Sequence, residues 1–426
     1  MILSRRFEPS RVIRLLMVLQ AMGLLAGLLW TGYAGATYSE VISFRVEDGW
    51  CQTPSEGVGE HCFGDYVAPI TDVSDGEVYH VVQPLPPSTL ALHSLFGLLG
   101  RLTDYGVGLA LWLLAGVLGL VLAALAISRR MNDISSSEVF LVLMLAWPVV
   151  SAVDRGTSVL FVVPLVALSI FAEADGRHRT SLILITLAAL VRPQFLLCVL
   201  ALNFRRKIQV VALFITAQIV FAWVLLVSQN WFSNWLQIGT PLFRRDVRGL
   251  WDFNPVSEIL EAARFSFEWM NGLARFETTS SINSDANEIL ARVFPQLSVT
   301  WVVLAVALLI GFVRAIRGPV AGLSTLSLCA LTVCASQASS TSPGYYYAII
   351  LTAVLSYVAV RGTIGVPDLI VLILVSAPVV TRVGLDEWHL ANRIALGRVI
   401  LLLLPALIWF VARWDRSDDF ADCRPR

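Results

Sequence analysis

The sequence predicts an all-α, polytopic integral membrane protein built as a single domain over residues 1–426, and three observations carry that prediction. Of its 426 residues, 57% are hydrophobic and only 15% charged, too little polar surface to coat a soluble globule. The apolar residues gather into about twelve runs with the length and continuity of membrane helices. Basic clusters fall at the short joints between alternate runs, as the positive-inside bias requires of cytoplasmic loops. Basic and acidic residues number 31 each, so the formal net charge is zero and no basic surface is available to neutralise nucleic-acid phosphates in bulk.

In chain order the expected helices are 12–34, 106–128, 138–152, 157–173, 180–191, 194–204, 208–229, 296–313, 319–336, 344–360, 366–382 and 394–412. Arg5, Arg6, Arg11 and Arg14 precede the first run and hold the N-terminus in the cytoplasm. The small residues of TGYAGATYS at the end of that run resemble a cleavage site, but an uncleaved anchor is the preferred reading, and both place the next segment outside. Strict alternation then puts Arg129-Arg130, Arg177-His178-Arg179, Arg205-Arg206-Lys207, Arg314, Arg317, Arg361, Arg413 and Arg416 on one side, with the C-terminus. The spans between 138 and 204 are short for a bilayer, and short helices stop around cavities where protein or water satisfies their backbone ends.

Two extracytoplasmic loops are long, 35–105 and 230–295. In the first, Pro86-Pro87 starts an expected interfacial helix whose Leu92, Leu95, Phe96 and Leu99 share a face. In the second, Asn254-Pro255 starts another. Cys51 and Cys62 in the first loop are disulfide candidates on an oxidising face, whereas Cys198, Cys329 and Cys334 in apolar runs read as small buried hydrophobes. No metal-ligand spacing, nucleotide-binding glycine loop or internal repeat occurs, and inverted repeats are what a competing transporter or flippase would show.

Polar groups at the outer joints are the candidate site. Arg192 and Gln194 lie in LVRPQFLL, where Pro193 breaks the helix; an arginine there offers a planar fork for phosphate or carboxylate, and the glutamine both donates to and accepts from hydroxyls. Asp154 and Arg155 lie in a DRG turn, Asp65 and Tyr66 in FGDY, and Tyr345, Tyr346 and Tyr347 in SPGYYY. A loop carboxylate facing a sugar can take a hydroxyl proton, and Asp65 competes for that role with Asp48 and Glu47 of VEDGW. Plain alternatives stay open: a snorkelling anchor for Arg192, a turn-closing pair for Asp154 and Arg155, a solvated acid for Asp65, and interfacial tyrosines.

The order of these motifs resembles glycosyltransferase family 87: a carboxylate-bearing first loop, PLPPSTLALHSLFGLL, DRG, LAALVRPQFLLCVLAL ending at FRRK, then SPGYYY. The family implies a GT-C superfold and transfer of a sugar, typically mannose, from a polyprenyl-phosphate donor that enters from the membrane. Leu85, Arg192 and Gly344 stand where that family usually has an aromatic residue, a lysine and a histidine. The resemblance implies Asp65, with Asp48 as alternative, as catalytic base, Arg192 and Arg155 on the donor phosphate, and Gln194, Tyr66, Asp154, Tyr345 and Tyr346 on substrate. It also implies no required cofactor, with a divalent metal left open; membrane lipids and an envelope glycolipid or lipoglycan as partners; and a bacterial inner-membrane location. Arabinofuranose would suit the same residues as donor sugar.

Overall fold

The computed structural model describes residues 6–34, 66, 105–131, 133–154, 156–236, 299–317, 323–337 and 346–376. They form helices α1 (Pro9–Ala34), α2 (Tyr105–Ser128), α3 (Ser136–Leu145), α4 (Trp147–Asp154), α5 (Val159–Ala174) and α6 (His178–Val191), then a 3-10 helix (Pro193–Ala201). Helices α7 (Phe204–Leu236), α8 (Val299–Arg317), α9 (Leu323–Gln337), α10 (Tyr347–Arg361) and α11 (Val366–Ser376) follow. One helix among the described residues, α2, is long and apolar enough to cross a membrane over Val107–Ser128; α3, α5, α6 and α10 are shorter apolar helices. The expected helix 394–412, the long loops 35–105 and 230–295 apart from Tyr66 and the ends of flanking helices, and Cys51 and Cys62 lie outside the described residues.

Helices α5 and α10 are the core. Both are apolar around most of their circumference, which obliges them to be buried on nearly every face. They pack on one another, and α2, α6 and α9 pack around them. Helix α2 approaches α5 closely because Gly116 lacks a side chain: a Cβ there would sit 2.9 Å from Leu160 Cδ1. Leu111, Leu114, Leu118 and Leu122 on α2 are left exposed, as are Leu15, Met22 and Leu29 on α1. Cys198, Cys329 and Cys334 are buried thiols, as their apolar setting predicts.

Local chemistry explains two departures from the expected elements. The single expected helix 138–152 is two helices, because Ala146 is extended (φ −65°, ψ 126°) and Pro148 sits in the first turn of α4, where its missing N–H does no harm. The expected helix 194–204 is a nine-residue 3-10 helix that starts at Pro193, long for that geometry. A two-residue antiparallel pair also appears, Arg6–Phe7 against Ile364–Gly365, which ties the N-terminus to the turn before α11. Helix α3 starts with a reciprocal capping box: Ser135 Oγ accepts from the Glu138 N–H at 3.1 Å, and Glu138 Oε2 accepts from the Ser135 N–H at 2.8 Å.

The basic joints meet at one end of the bundle. Arg14 from α1 donates to Glu138 at the start of α3 (2.8 Å), and Arg130 beyond α2 and Arg177 before α6 both bond Asp175 just beyond α5. Glu173, its side chain 2% exposed, accepts from Arg206 of α7 at 3.4 Å and lies 3.2 Å from His178 Nδ1. Arg314 of α8 stands within Coulombic reach of Glu173 and donates to Ser324 Oγ at 2.8 Å. Arg361, ending α10, is 3.5 Å from the buried Asp368 of α11, which also accepts from the Gly365 N–H.

Partial burial pushes the Asp175 carboxyl pKa up, but the hydrogen bonds from Arg130 and Arg177 outweigh it and hold the pKa below its ordinary value. A depressed folded-state pKa stabilises the fold fully above the unfolded value of about 4, and that contribution is lost as pH falls through the lower folded-state value. Thermal unfolding of the detergent-solubilised wild type and Asp175→Asn should therefore differ at pH 7, and the difference should shrink as pH falls from about 4 through the depressed Asp175 value. Glu173→Ala, which removes the buried carboxylate that Arg206 and His178 meet, should cost more, about 2–3 kcal/mol by the same measurement.

Candidate active site

At the opposite end of α5 and α6 from those ion pairs lies Arg192. Pro193 cannot continue α6, and the residue before a proline is pushed out of the helical region, so Arg192 is extended (φ −141°, ψ 107°). Its N–H still reaches Ala188 O at 2.9 Å, and its carbonyl accepts the Phe195 N–H at 3.1 Å. The break turns the side chain inward. Only 2% exposed, Arg192 donates from Nη2 to Thr157 Oγ1 at 3.2 Å, and its Cζ lies 5.8 Å from the centre of the Tyr346 ring. Hydroxyl and ring both bear on where the guanidinium points.

Thr157 is presented by the end of α4. Gly156 adopts a left-handed φ of +62°, and two backbone bonds close the helix, Gly156 N–H to Val153 O at 3.0 Å and Thr157 N–H to Ala152 O at 3.1 Å. This is a Schellman closure, and it explains the glycine of DRG. The Gly156 carbonyl accepts the indole N–H of Trp112 from α2 at 2.8 Å. Trp112 packs edge-on to Phe161 (4.4 Å between ring centres) and tilted against Tyr66 (5.7 Å). A continuous chain of contacts therefore runs Tyr66, Trp112, Gly156-Thr157, Arg192, Tyr346.

Two polar side chains beside that chain have no hydrogen-bond partner among the described residues. Both amide atoms of Gln194 are buried and unbonded, and so is the hydroxyl of Ser158, at the N-cap of α5 but not capping it. Unbonded buried polar groups are costly, about 1–3 kcal/mol each, and such groups mark binding sites when they cluster around a buried charge.

The structure thus brings Tyr66, Arg192, Gln194 and Tyr346 to one end of the bundle. Asp154 ends α4 one residue before the closing turn, with only its backbone described. Asp65, Asp48, Arg155 and Tyr345 lie outside the described residues. No group of three or more metal-ligating side chains occurs among the described residues. Sequence reasoning missed Trp112, Thr157 and Ser158; the only signal was the position of Thr157 and Ser158 directly after DRG.

The sequence profile of Glycosyltransferase family 87 matches residues 85–343, more than half the chain. The chain belongs to glycosyltransferase family 87. No curated protein and no solved structure matches it. The matched span of this glycosyltransferase holds Trp112, Gly156, Thr157, Arg192 and Gln194, while Tyr66 and Tyr346, which close the two ends of the contact chain, fall outside it.

Because the Gln194 amide is buried without partners among the described residues, removing it should relieve the fold while harming function. Gln194→Met should raise the thermal unfolding midpoint, by about 1 kcal/mol of stability, and lower sugar transfer. A fall in both would show the amide to be structural.

Proposed function

We propose that the protein transfers a sugar, mannose, from a polyprenyl-phosphate donor to an envelope glycolipid or lipoglycan, at the extracytoplasmic face of a multi-pass bacterial inner-membrane protein whose termini are cytoplasmic. The observation that carries this reading is a buried arginine, Arg192, fixed at a helix break between Thr157 and Tyr346 in a chain of glycosyltransferase family 87. The basic joints gathered at the other end of the bundle support the orientation, since that end then faces the cytoplasm.

In this mechanism the phosphate of the lipid carrier is the leaving group. Arg192, with Arg155, offsets the negative charge that grows on it as the glycosidic bond breaks. Asp65, or Asp48, takes the proton of the attacking acceptor hydroxyl, and a single displacement inverts the anomeric centre, so a β-linked donor gives an α-linked product. A second carboxylate is unnecessary because phosphate leaves without the protonation an alkoxide needs. Tyr66, the residue after Asp65 in the chain, is packed on Trp112, which supports assigning Tyr66 to this site. Gln194, with Asp154, Tyr345 and Tyr346, is assigned to sugar and acceptor hydroxyls. The reaction needs no cofactor; a divalent metal is open.

The test is transfer of label from radiolabelled polyprenyl-phosphate mannose to an envelope lipid extract by membranes carrying wild type, Asp65→Asn, Asp48→Asn or Arg192→Ala. Wild type transfers, Arg192→Ala and Asp65→Asn lose at least about a hundredfold, and Asp48→Asn does not. Loss with Asp48→Asn alone moves the base to Asp48. No transfer by wild type from this donor or from a lipid-linked arabinose sinks the reading.

A further inference from the structure

We infer that Trp112 and Thr157 are positioning residues that set the Arg192 guanidinium for the phosphate of the donor, an inference that rests on the proposed function for the identity of that phosphate. Arg192 lies on the 3-10 side of a helix break, where its own backbone leaves the long side chain several rotamers. What narrows them comes from elsewhere in the chain. Thr157 Oγ1 takes Nη2 at 3.2 Å from 35 positions away. Thr157 in turn follows a left-handed glycine whose carbonyl is held by the Trp112 indole at 2.8 Å, from a different helix.

The direction of each hydrogen bond gives the link its specificity. An indole N–H can only donate and a guanidinium can only donate, so the turn between them must present two acceptors, and it does: the Gly156 carbonyl to Trp112 and the Thr157 hydroxyl to Arg192. The same hydroxyl also lies 3.5 Å from the Val159 N–H in the first turn of α5, which orients it towards the helix start. With the Tyr346 ring on the guanidinium, three separate helices, α2, α4 and α10, define where one charge sits. A displacement of about 1 Å in such a group can cost about a hundredfold in rate, so the relay belongs to the chemistry without touching substrate.

Purified wild type, Thr157→Val, Thr157→Ser and Trp112→Phe should be compared in detergent for two properties: binding of farnesyl phosphate, a soluble carrier-phosphate mimic, by isothermal titration, and steady-state sugar transfer. Thr157→Val keeps the shape but removes the acceptor, and should weaken farnesyl phosphate binding and lower kcat about tenfold or more, with KM for the acceptor unchanged. Thr157→Ser restores the acceptor and should recover most of both; Trp112→Phe should fall between. If Thr157→Val matches wild type in binding and kcat, or Thr157→Ser is as impaired as Thr157→Val, the positioning role is overturned while the transferase reading survives. Loss of farnesyl phosphate binding in Thr157→Val alongside a wild type that transfers no sugar supports the positioning role and sinks the transferase reading. A wild type that neither binds nor transfers overturns both.

Discussion

The hydrogen bond from Arg192 Nη2 to Thr157 Oγ1 is the constraint around which the rest of this end of the protein is arranged. A guanidinium does not shed its proton in a protein, so burying it to 2% exposure commits the fold to supplying acceptors and a polarisable surface wherever it lies. The supply comes from three directions. The end of α4 brings the Thr157 hydroxyl, the start of α10 brings the Tyr346 ring, and α2 steadies the turn through Trp112. None of those groups is near Arg192 in sequence, so the charge can be buried only when the core pair α5 and α10 is already packed.

The two ends of α5 differ in the groups their arginines touch. At its C-terminal end the arginines meet carboxylates, Arg206 with Glu173 and Arg130 with Asp175, so each charge is answered within the protein. Roughly 24 Å away, at 1.5 Å per residue, Arg192 touches the Thr157 hydroxyl and the Tyr346 ring, and polar atoms of Gln194 and Ser158 are buried and unbonded among the described residues. At the Arg192 end a bound ligand would relieve the cost of the Gln194 amide and the Ser158 hydroxyl.

Hydropathy made most of the helices legible, because an apolar run bounded by arginines has few alternative structures. The starts of α5 at Val159 and α10 at Tyr347, and the end of α6 at Val191, fall within about three residues of the boundaries the apolar runs suggest. The break at Ala146 was not legible, since Pro148 is as compatible with the start of a helix as with its interruption, and hydropathy is unchanged across it. The 3-10 geometry after Pro193 was hidden for a similar reason: the apolar pattern of PQFLLCVLA suits either winding. At the site, Arg192 and Tyr346 stood out because charge and repeated tyrosine are conspicuous in apolar sequence. Thr157 and Trp112 did not, because a threonine after a turn and a tryptophan in an apolar helix are ordinary; their meaning lies in contacts spanning 35 and 44 positions.

Arginine at 192, where lysine is usual for the motif, fits this particular surround. A lysine ammonium is a compact charge on a flexible stem and gains little from a single hydroxyl and a ring at 5.8 Å. A guanidinium holds its donors in one plane, so a bond through Nη2 to Thr157 fixes the orientation of the whole plane, and that plane can match two oxygens of a phosphate at once. The Schellman turn that presents Thr157 and the indole that holds Gly156 then act as parts of one device: they convert a long, mobile cation into a directed one. On the proposed mechanism the gain is largest when negative charge develops on the leaving phosphate, because a donor already aimed at the oxygen needs no reorganisation at that moment.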